Sequence, residues 1–209
     1  MDVHAPVGHP AVLMGDPSHF QIVGGANPFT RDWWGRKKFV DRTKAIAQWN
    51  QLKDILTNFG IKVHVLPPDP RNPGLVYPAN AGAFLGKKFI LSNLLPSRAG
   101  EKPVYDLFLR SLGIETVSIR HRFEGEADFF SAGERYIFTY GGVVKQRFVP
   151  QLGFPPWRRV YGFRSERAAL DELKSFLPRG AEICDFELIE NRTTTATLSF
   201  VLSGRIANI

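Results

Sequence analysis

Three short segments of this 209-residue sequence carry polar side chains where the surrounding strand pattern predicts apolar ones. The segment richest in chemistry runs from Phe123 to Phe129 and places three carboxylates, those of Glu124, Glu126 and Asp128, among small residues. Carboxylates this close raise one another's free energy unless a cation, a guanidinium group or water compensates, so such clusters tend to mark sites. We therefore favour a functional role for this segment.

The other two segments are open to a local structural interpretation. Asn80 lies just before a predicted hairpin, where its side chain can bind a ligand or simply stabilise a turn; taken alone, the turn is favoured. Arg98 can hold a substrate carboxylate through paired hydrogen bonds, or form an ion pair with Glu101 at the start of the next helix. Taken alone, the local ion pair is favoured.

The elements that must position these segments form a repeat, in which a helix is followed by a glycine and a strand. Apolar residues at three- and four-residue spacing predict the helices, and alternating or continuous apolar residues predict the strands. The helix-and-strand pairs are predicted at 41–60 and 61–66, at 104–113 and 114–119, and at 166–177 and 183–189. Hairpins at 82–91 and 128–138 precede the second and third helices, so the unit is ββαβ. Repeats of roughly 50 residues bury their apolar faces against neighbouring copies, as in solenoids and propellers.

Composition bounds the class of protein. A hydrophobic content of 44% predicts a globular chain, and its single cysteine, Cys184, excludes an internal disulfide and a multi-cysteine metal site. We expect a cytoplasmic protein, because the apolar runs are far shorter than the ~20 residues of a membrane span and the start at Met1 lacks the pattern of a secretion signal. The formal charge of +7 is scattered, which favours a solvated surface over nucleic-acid binding. We expect no metal and no cofactor.

At these segments the sequence resembles the guanidino-group-modifying enzymes, namely arginine deiminase, dimethylarginine dimethylaminohydrolase and the amidinotransferases. Asn80 holds the position of the acidic or amide residue that contacts the substrate guanidinium in that family. Arg98 and Glu101 resemble its Arg-x-x-Glu element. Glu124 and Asp128 resemble the ends of its Glu-Gly-Gly-Asp motif, with one residue inserted. The family shares the pentein fold, so the resemblance implies an incomplete α/β propeller built from ββαβ repeats, about three of five blades.

Weaker likenesses lie at both ends of the matched region, which runs from about Ala11 to Ile189. Met14 to Phe20 and Asn27 to Phe29 are similar to the family's opening strand and the loop after it. Gly162 to Ser165 is similar to the glycine-to-arginine turn of the family, and it makes Arg164, beside Arg98, a candidate for holding the substrate carboxylate.

The likeness ends where the family supplies its nucleophile and proton donor. After the strand similar to 183–189, the family has a His-x-Asp-Thr motif and then a catalytic cysteine, whereas this sequence continues with 191–197, Asn-Arg-Thr-Thr-Thr-Ala-Thr. Cys184 lies within an apolar strand, where we expect a buried and inert thiol. His19, His64 and His121 do not occupy the catalytic position, and His121 is interpreted as a surface histidine.

We therefore expect a pentein-like domain at 1–190 and a divergent or truncated tail at 191–209. The resemblance implies an amidinotransferase or arginine-deiminase-like hydrolase acting on a guanidino compound such as arginine, inactive as written, with Glu124 and Asp128 as its catalytic carboxylates and Asn80, Arg98 and Arg164 as substrate-binding residues. Two alternatives stay open: a non-catalytic binding protein on the same fold, and a fragment whose last strand leaves an unpaired edge. We expect neither nucleic acid nor membrane as a partner, and a homo-oligomer is an open alternative.

Overall fold

A computed structural model describes residues 10–22, 32, 34, 36–132, 135–141, 147–150, 152–154, 156–160 and 165–187. The segment 27–29 and the tail 191–209, for which predictions were made, lie outside these ranges. Within the described part of the chain, no helix is long and apolar enough to cross a membrane.

Among its described residues, the first unit has one strand on each side of its helix. Strand β1 (Ala11–Gly15) pairs in parallel with β2 (Lys62–Leu66), and helix α1 (Arg42–Asn58) connects them. The side chain of Asp41 accepts a hydrogen bond from the Lys44 backbone N–H at 3.0 Å, so it caps α1 and fixes where the helix begins.

The second unit has the predicted ββαβ order. Strands β3 (Gly82–Leu85) and β4 (Lys88–Leu91) form an antiparallel hairpin, and β5 (Glu115–Ser118) pairs in parallel with β4 after helix α2 (Glu101–Ser111). Helix α2 begins three residues before the predicted Val104, because a proline is tolerated in the first turn of a helix, where its missing N–H is not needed.

The third unit repeats this order around a longer hairpin. Strands β6 (Phe129–Ala132) and β7 (Arg135–Tyr140) are antiparallel, and β10 (Glu182–Glu187) pairs in parallel with β7 after helix α3 (Arg167–Lys174). Helix α3 ends three residues before the predicted Leu177. Among the described strands, β10 forms one edge of its sheet.

An additional hairpin separates β7 from α3. Strands β8 (Arg147–Pro150) and β9 (Trp157–Val160) pair antiparallel, and the sequence pattern predicted neither of them. Neither strand shows the apolar alternation used to recognise the others, so the periodicity carried no signal for this pair.

Neighbouring units bury their apolar faces against each other, as the repeat predicts. One cluster joins β3 and β4 of the second unit to the third unit; its largest members are Leu85, Ile90, Phe123, Phe129, Phe138, Leu170 and Leu173. A second cluster joins the other face of β4 to α2 and to the first unit through Leu66 and Leu75. The described strands form four separate sheets, none of them closed, in a mixed α/β fold.

Candidate active site

Two short helical turns meet where the second and third units touch. The turn Pro78–Asn80 precedes β3, and the turn Gly125–Ala127 precedes β6. At their contact, Gly125 has a φ of +60°, and a Cβ built there would lie 2.6 Å from the Gly82 amide nitrogen and 2.8 Å from the Ala79 carbonyl oxygen. Only glycine allows both this conformation and this close backbone approach. The close approach brings two of the predicted segments together.

A hydrogen-bond chain joins three of the predicted site residues. Asn80 Nδ2 donates to Glu124 Oε2 at 3.0 Å, and the Glu124 backbone N–H donates to Ser165 Oγ at 3.1 Å. Ser165 Oγ in turn donates to Asp128 Oδ2 at 2.6 Å. Asn80, Glu124 and Asp128 therefore belong to one polar network, although 44 residues separate Asn80 from Glu124 along the chain.

The strand next to the turn also holds Asp128. Its backbone carbonyl accepts the Thr139 N–H at 2.8 Å, and Thr139 Oγ1 lies 3.5 Å from Asp128 Oδ1. Because Thr139 lies on β7, the backbone of Asp128 is anchored to the sheet of the third unit.

Burial makes negative charge unfavourable on the carboxylates of this turn. Glu124 is only 1% exposed, and a buried carboxylate is stable only when hydrogen bonds or a nearby cation compensate for the loss of water. Burial also raises the pKa of the neighbouring Glu126 to about 7. The turn is therefore a place where removal from water penalises an unpaired negative charge, and where a cation would be favoured by pairing with these carboxylates.

Arg98 forms a bidentate ion pair with Glu101. The Nε and Nη2 atoms of Arg98 each donate to a different oxygen of the Glu101 carboxylate at 2.7 Å, and Nη2 also lies 3.3 Å from the Gly74 carbonyl oxygen. Glu101 is 2% exposed, so the pair is largely withdrawn from water. The local ion pair favoured from the sequence is confirmed.

The ion pair is not electrostatically isolated from the turn. Burial opposes the charge on Arg98, but the Glu101 carboxylate and, from farther away, that of Glu124 hold the pKa of this arginine above its ordinary value. Arg98 thus contributes positive potential at Glu124.

The remaining sequence candidates lie elsewhere or outside the described residues. Arg164 is outside the described ranges, although the residue after it, Ser165, joins the network. His121 Nδ1 lies 2.5 Å from Glu172 Oε1 with a 44% exposed side chain, so this histidine contacts a carboxylate at the surface. Cys184 lies on β10 and is half-buried, so the expectation of a buried thiol is wrong; among the described strands β10 lies at the edge of its sheet, which leaves the thiol partly accessible.

Sequence reasoning missed the bridging role of Ser165 and the support from Thr139. Ser165 ends the segment 162–165, in which the resemblance implies a role for Arg164 alone. No spacing rule connects a serine to carboxylates 37 and 41 residues before it. Among the described residues, no group of three or more histidine, cysteine, aspartate or glutamate side chains is placed to hold a metal ion.

Comparison with known proteins supports the resemblance to guanidino-group-modifying enzymes. No family model matches the chain. The chain is 32% identical over 135 residues to the N(G),N(G)-dimethylarginine dimethylaminohydrolase of Mycobacterium tuberculosis, a match that covers 64% of this chain and 43% of that protein. It is 29% identical over 181 residues to the bifunctional arginine dihydrolase/ornithine cyclodeaminase AgrE of Nostoc, covering 86% of this chain and 22% of that protein.

Solved structures show the same relationship. A crystal structure of an AgrE mutant in a binary complex with L-arginine matches with a TM-score of 0.70 and 26% identity, over 88% of this chain and 24% of that one. A dimethylarginine dimethylaminohydrolase adduct matches with a TM-score of 0.58 over 88% of this chain and 63% of that one; at 15% identity, it supports the fold alone. The chain spans about half or less of the length of the curated relatives it matches. In sequence and in fold, the chain is thus similar to the guanidino-group-modifying enzymes of the pentein superfamily.

Proposed function

We propose that this chain binds the guanidinium group of arginine or of an arginine derivative at Asn80, Glu124 and Asp128. The observation that carries the proposal is the buried Glu124 carboxylate, which is hydrogen-bonded to Asn80 and connected through Ser165 to Asp128. The relatives are a dimethylarginine dimethylaminohydrolase and an arginine dihydrolase, which supports a guanidino compound as the ligand.

The chemistry of the three side chains suits this ligand. A guanidinium group is a flat, delocalised cation that presents only N–H donors, and carboxylates accept from it through two oxygens. The Asn80 amide uses its Nδ2 on Glu124, which leaves the acceptor oxygen Oδ1 to face a ligand donor. Carboxylates at a desolvated turn gain more from a cation than they would in water.

We propose Arg98 or Arg164 for the carboxylate end of the ligand. In Arg98, the Nη1 donors take no part in the bonds to Glu101 and Gly74, so the ion pair can persist while Nη1 contacts a second carboxylate. Arg164 is proposed on the resemblance alone.

We also propose that the 209-residue chain binds its ligand without turning it over. A guanidinium carbon is a poor electrophile, and its hydrolysis or transfer calls for a thiolate nucleophile and a proton donor. The sequence has no His-x-Asp-Thr motif after β10, and Cys184 is its single cysteine. The parentage is that of an amidinotransferase or arginine-deiminase-like hydrolase, and the architecture we propose is an incomplete propeller, which the repeated sheets and the structural likeness support.

Calorimetric titration with arginine and methylated arginines, beside an assay for citrulline and ornithine release, tests the proposal. We expect binding without release, and Glu124→Gln should weaken binding because it removes the buried charge that faces the cation. Glu115→Gln is the matched control, since Glu115 lies on β5 in an exposed ion pair with Lys88 and should leave binding unchanged.

Three results count against the proposal. Product release by the wild-type chain would refute the claim of binding without turnover. Equal affinity in the two variants would remove Glu124 from the site. If the wild-type chain neither binds arginine nor releases product, the non-catalytic binding protein or the fragment is favoured instead.

A further inference from the structure

We propose that Ser165 is a positioning residue that fixes the Asp128 carboxylate relative to Glu124 and so sets the geometry of the cation site. The inference rests on the proposed guanidinium site and adds to it a residue that contacts no ligand itself. It follows from the place of one hydroxyl group between two elements of the site.

The hydroxyl of Ser165 makes two bonds of opposite sense. Its oxygen accepts the Glu124 backbone N–H at 3.1 Å, and its proton is donated to Asp128 Oδ2 at 2.6 Å. A serine hydroxyl has a single proton, and an ionised carboxylate can only accept. The direction of both bonds is therefore determined, and the hydroxyl is a fixed link rather than a free rotor.

The backbone around Ser165 is itself held in place. Its carbonyl accepts the Gly141 N–H at 3.2 Å, and the next residue, Glu166, donates its N–H to the Arg122 carbonyl at 3.0 Å. Ser165 is 2% exposed, so no water competes readily for its hydroxyl. The link thus connects the end of β7, the start of α3 and the turn that carries both carboxylates.

This link matters because a rigid donor aimed at Asp128 holds that carboxylate in one orientation relative to Glu124 before the ligand arrives. Without the donor, Asp128 can turn away from Glu124, and the ligand must restore the arrangement at the expense of its own binding free energy.

To test this role, we compare the wild type with Ser165→Ala and Ser165→Thr, by arginine titration and by NMR of the Glu124 backbone amide. Thr keeps the hydroxyl and Ala removes it, while Ser175→Ala is a control because Ser175 Oγ bonds only the end of α3, at the Glu172 carbonyl. Loss of one charge-assisted hydrogen bond should weaken arginine binding about five- to tenfold in the Ala variant, with rescue by Thr. The Glu124 amide proton should move upfield and exchange faster in the Ala variant alone.

The two readouts separate this inference from the proposed function. If the wild type binds no arginine, the proposed function fails, and the Glu124 amide still decides whether Ser165 makes the link. A folded Ala variant with wild-type affinity overturns the positioning role, as does a Glu124 amide unchanged by the substitution. If the Ala variant does not fold, Ser165→Cys takes its place, because a thiol keeps the size and donates only weakly; wild-type affinity in that variant also overturns the role.

Discussion

Replacing Glu126 with glutamine should change how the stability of this protein depends on pH. Burial raises the pKa of Glu126 from an ordinary 4.5 to about 7, so the folded protein retains a proton that the unfolded chain has already lost in this interval. Stability is therefore expected to fall as the pH rises from 4.5 to about 7, because the unfolded state binds fewer protons. Glutamine is neutral throughout and removes this dependence.

The magnitude follows from the width of that interval. Each pH unit of difference corresponds to about 1.4 kcal/mol, which makes about 3 kcal/mol the upper limit for a fully desolvated carboxyl group. Glu126 is only half-buried by accessible surface, so water at its rim reduces the effect. We expect Glu126→Gln to gain roughly 1 to 3 kcal/mol over the wild type at pH 8 and little at pH 4.5.

Urea unfolding followed by circular dichroism, at pH values from 4.5 to 8, measures this difference directly. The exposed Glu115→Gln serves as the control and should follow the wild type at every pH. If Glu126→Gln shows the same pH dependence as the wild type, Glu126 titrates normally and the desolvation of the turn has been overestimated.

Three further substitutions test other parts of the structure. Gly125→Ala should destabilise the fold by about 2 kcal/mol or more, since its φ of +60° and the adjacent backbone leave no room for a methyl group; a wild-type urea midpoint would contradict this. Arg98→Ala should cost about 3 kcal/mol because it strands the buried Glu101 carboxylate, while Lys88→Ala, which breaks an exposed pair, should cost about 1 kcal/mol or less; equal losses would refute the reasoning. Burial lowers the pKa of His64, so as the pH falls below the ordinary 6.5 the unfolded chain takes up a proton before the folded protein does. Thermal melts should therefore show that wild-type stability falls from pH 7 to pH 5 more steeply than that of His64→Leu. Parallel slopes would show that His64 does not contribute to the pH dependence of stability.

Local sequence determined the helices, most of the strands and their order. Apolar periodicity is a property of neighbouring residues, so it predicted the helix-and-strand units and the two ββ hairpins, with shifts of a few residues at their ends. Gly60 and Gly113 directly follow the C-caps of α1 and α2 and adopt the positive φ expected there, whereas Gly180, also at positive φ, lies in a turn beyond the end of α3. The hairpin β8–β9 was not predicted, because its strands lack an alternating apolar pattern.

Part of the site could also be predicted, because charges crowded within a few residues are visible in the sequence. The carboxylates at Glu124 and Asp128 and the ion pair of Arg98 with Glu101 are local features of this kind. The burial of Cys184 is not a local feature: an apolar strand predicted a buried thiol, but its exposure depends on which strands lie beside β10.

Only the tertiary structure decided how the polar segments combine. Asn80 meets Glu124, and Ser165 links Glu124 to Asp128, because Gly125 lets the backbones of two units approach and because adjoining sheets bury their apolar faces together. These contacts join residues roughly 40 positions apart, and their energies depend on burial that no local window contains. The sequence thus determined which groups were available for chemistry, whereas packing between units determined which of them share one desolvated site.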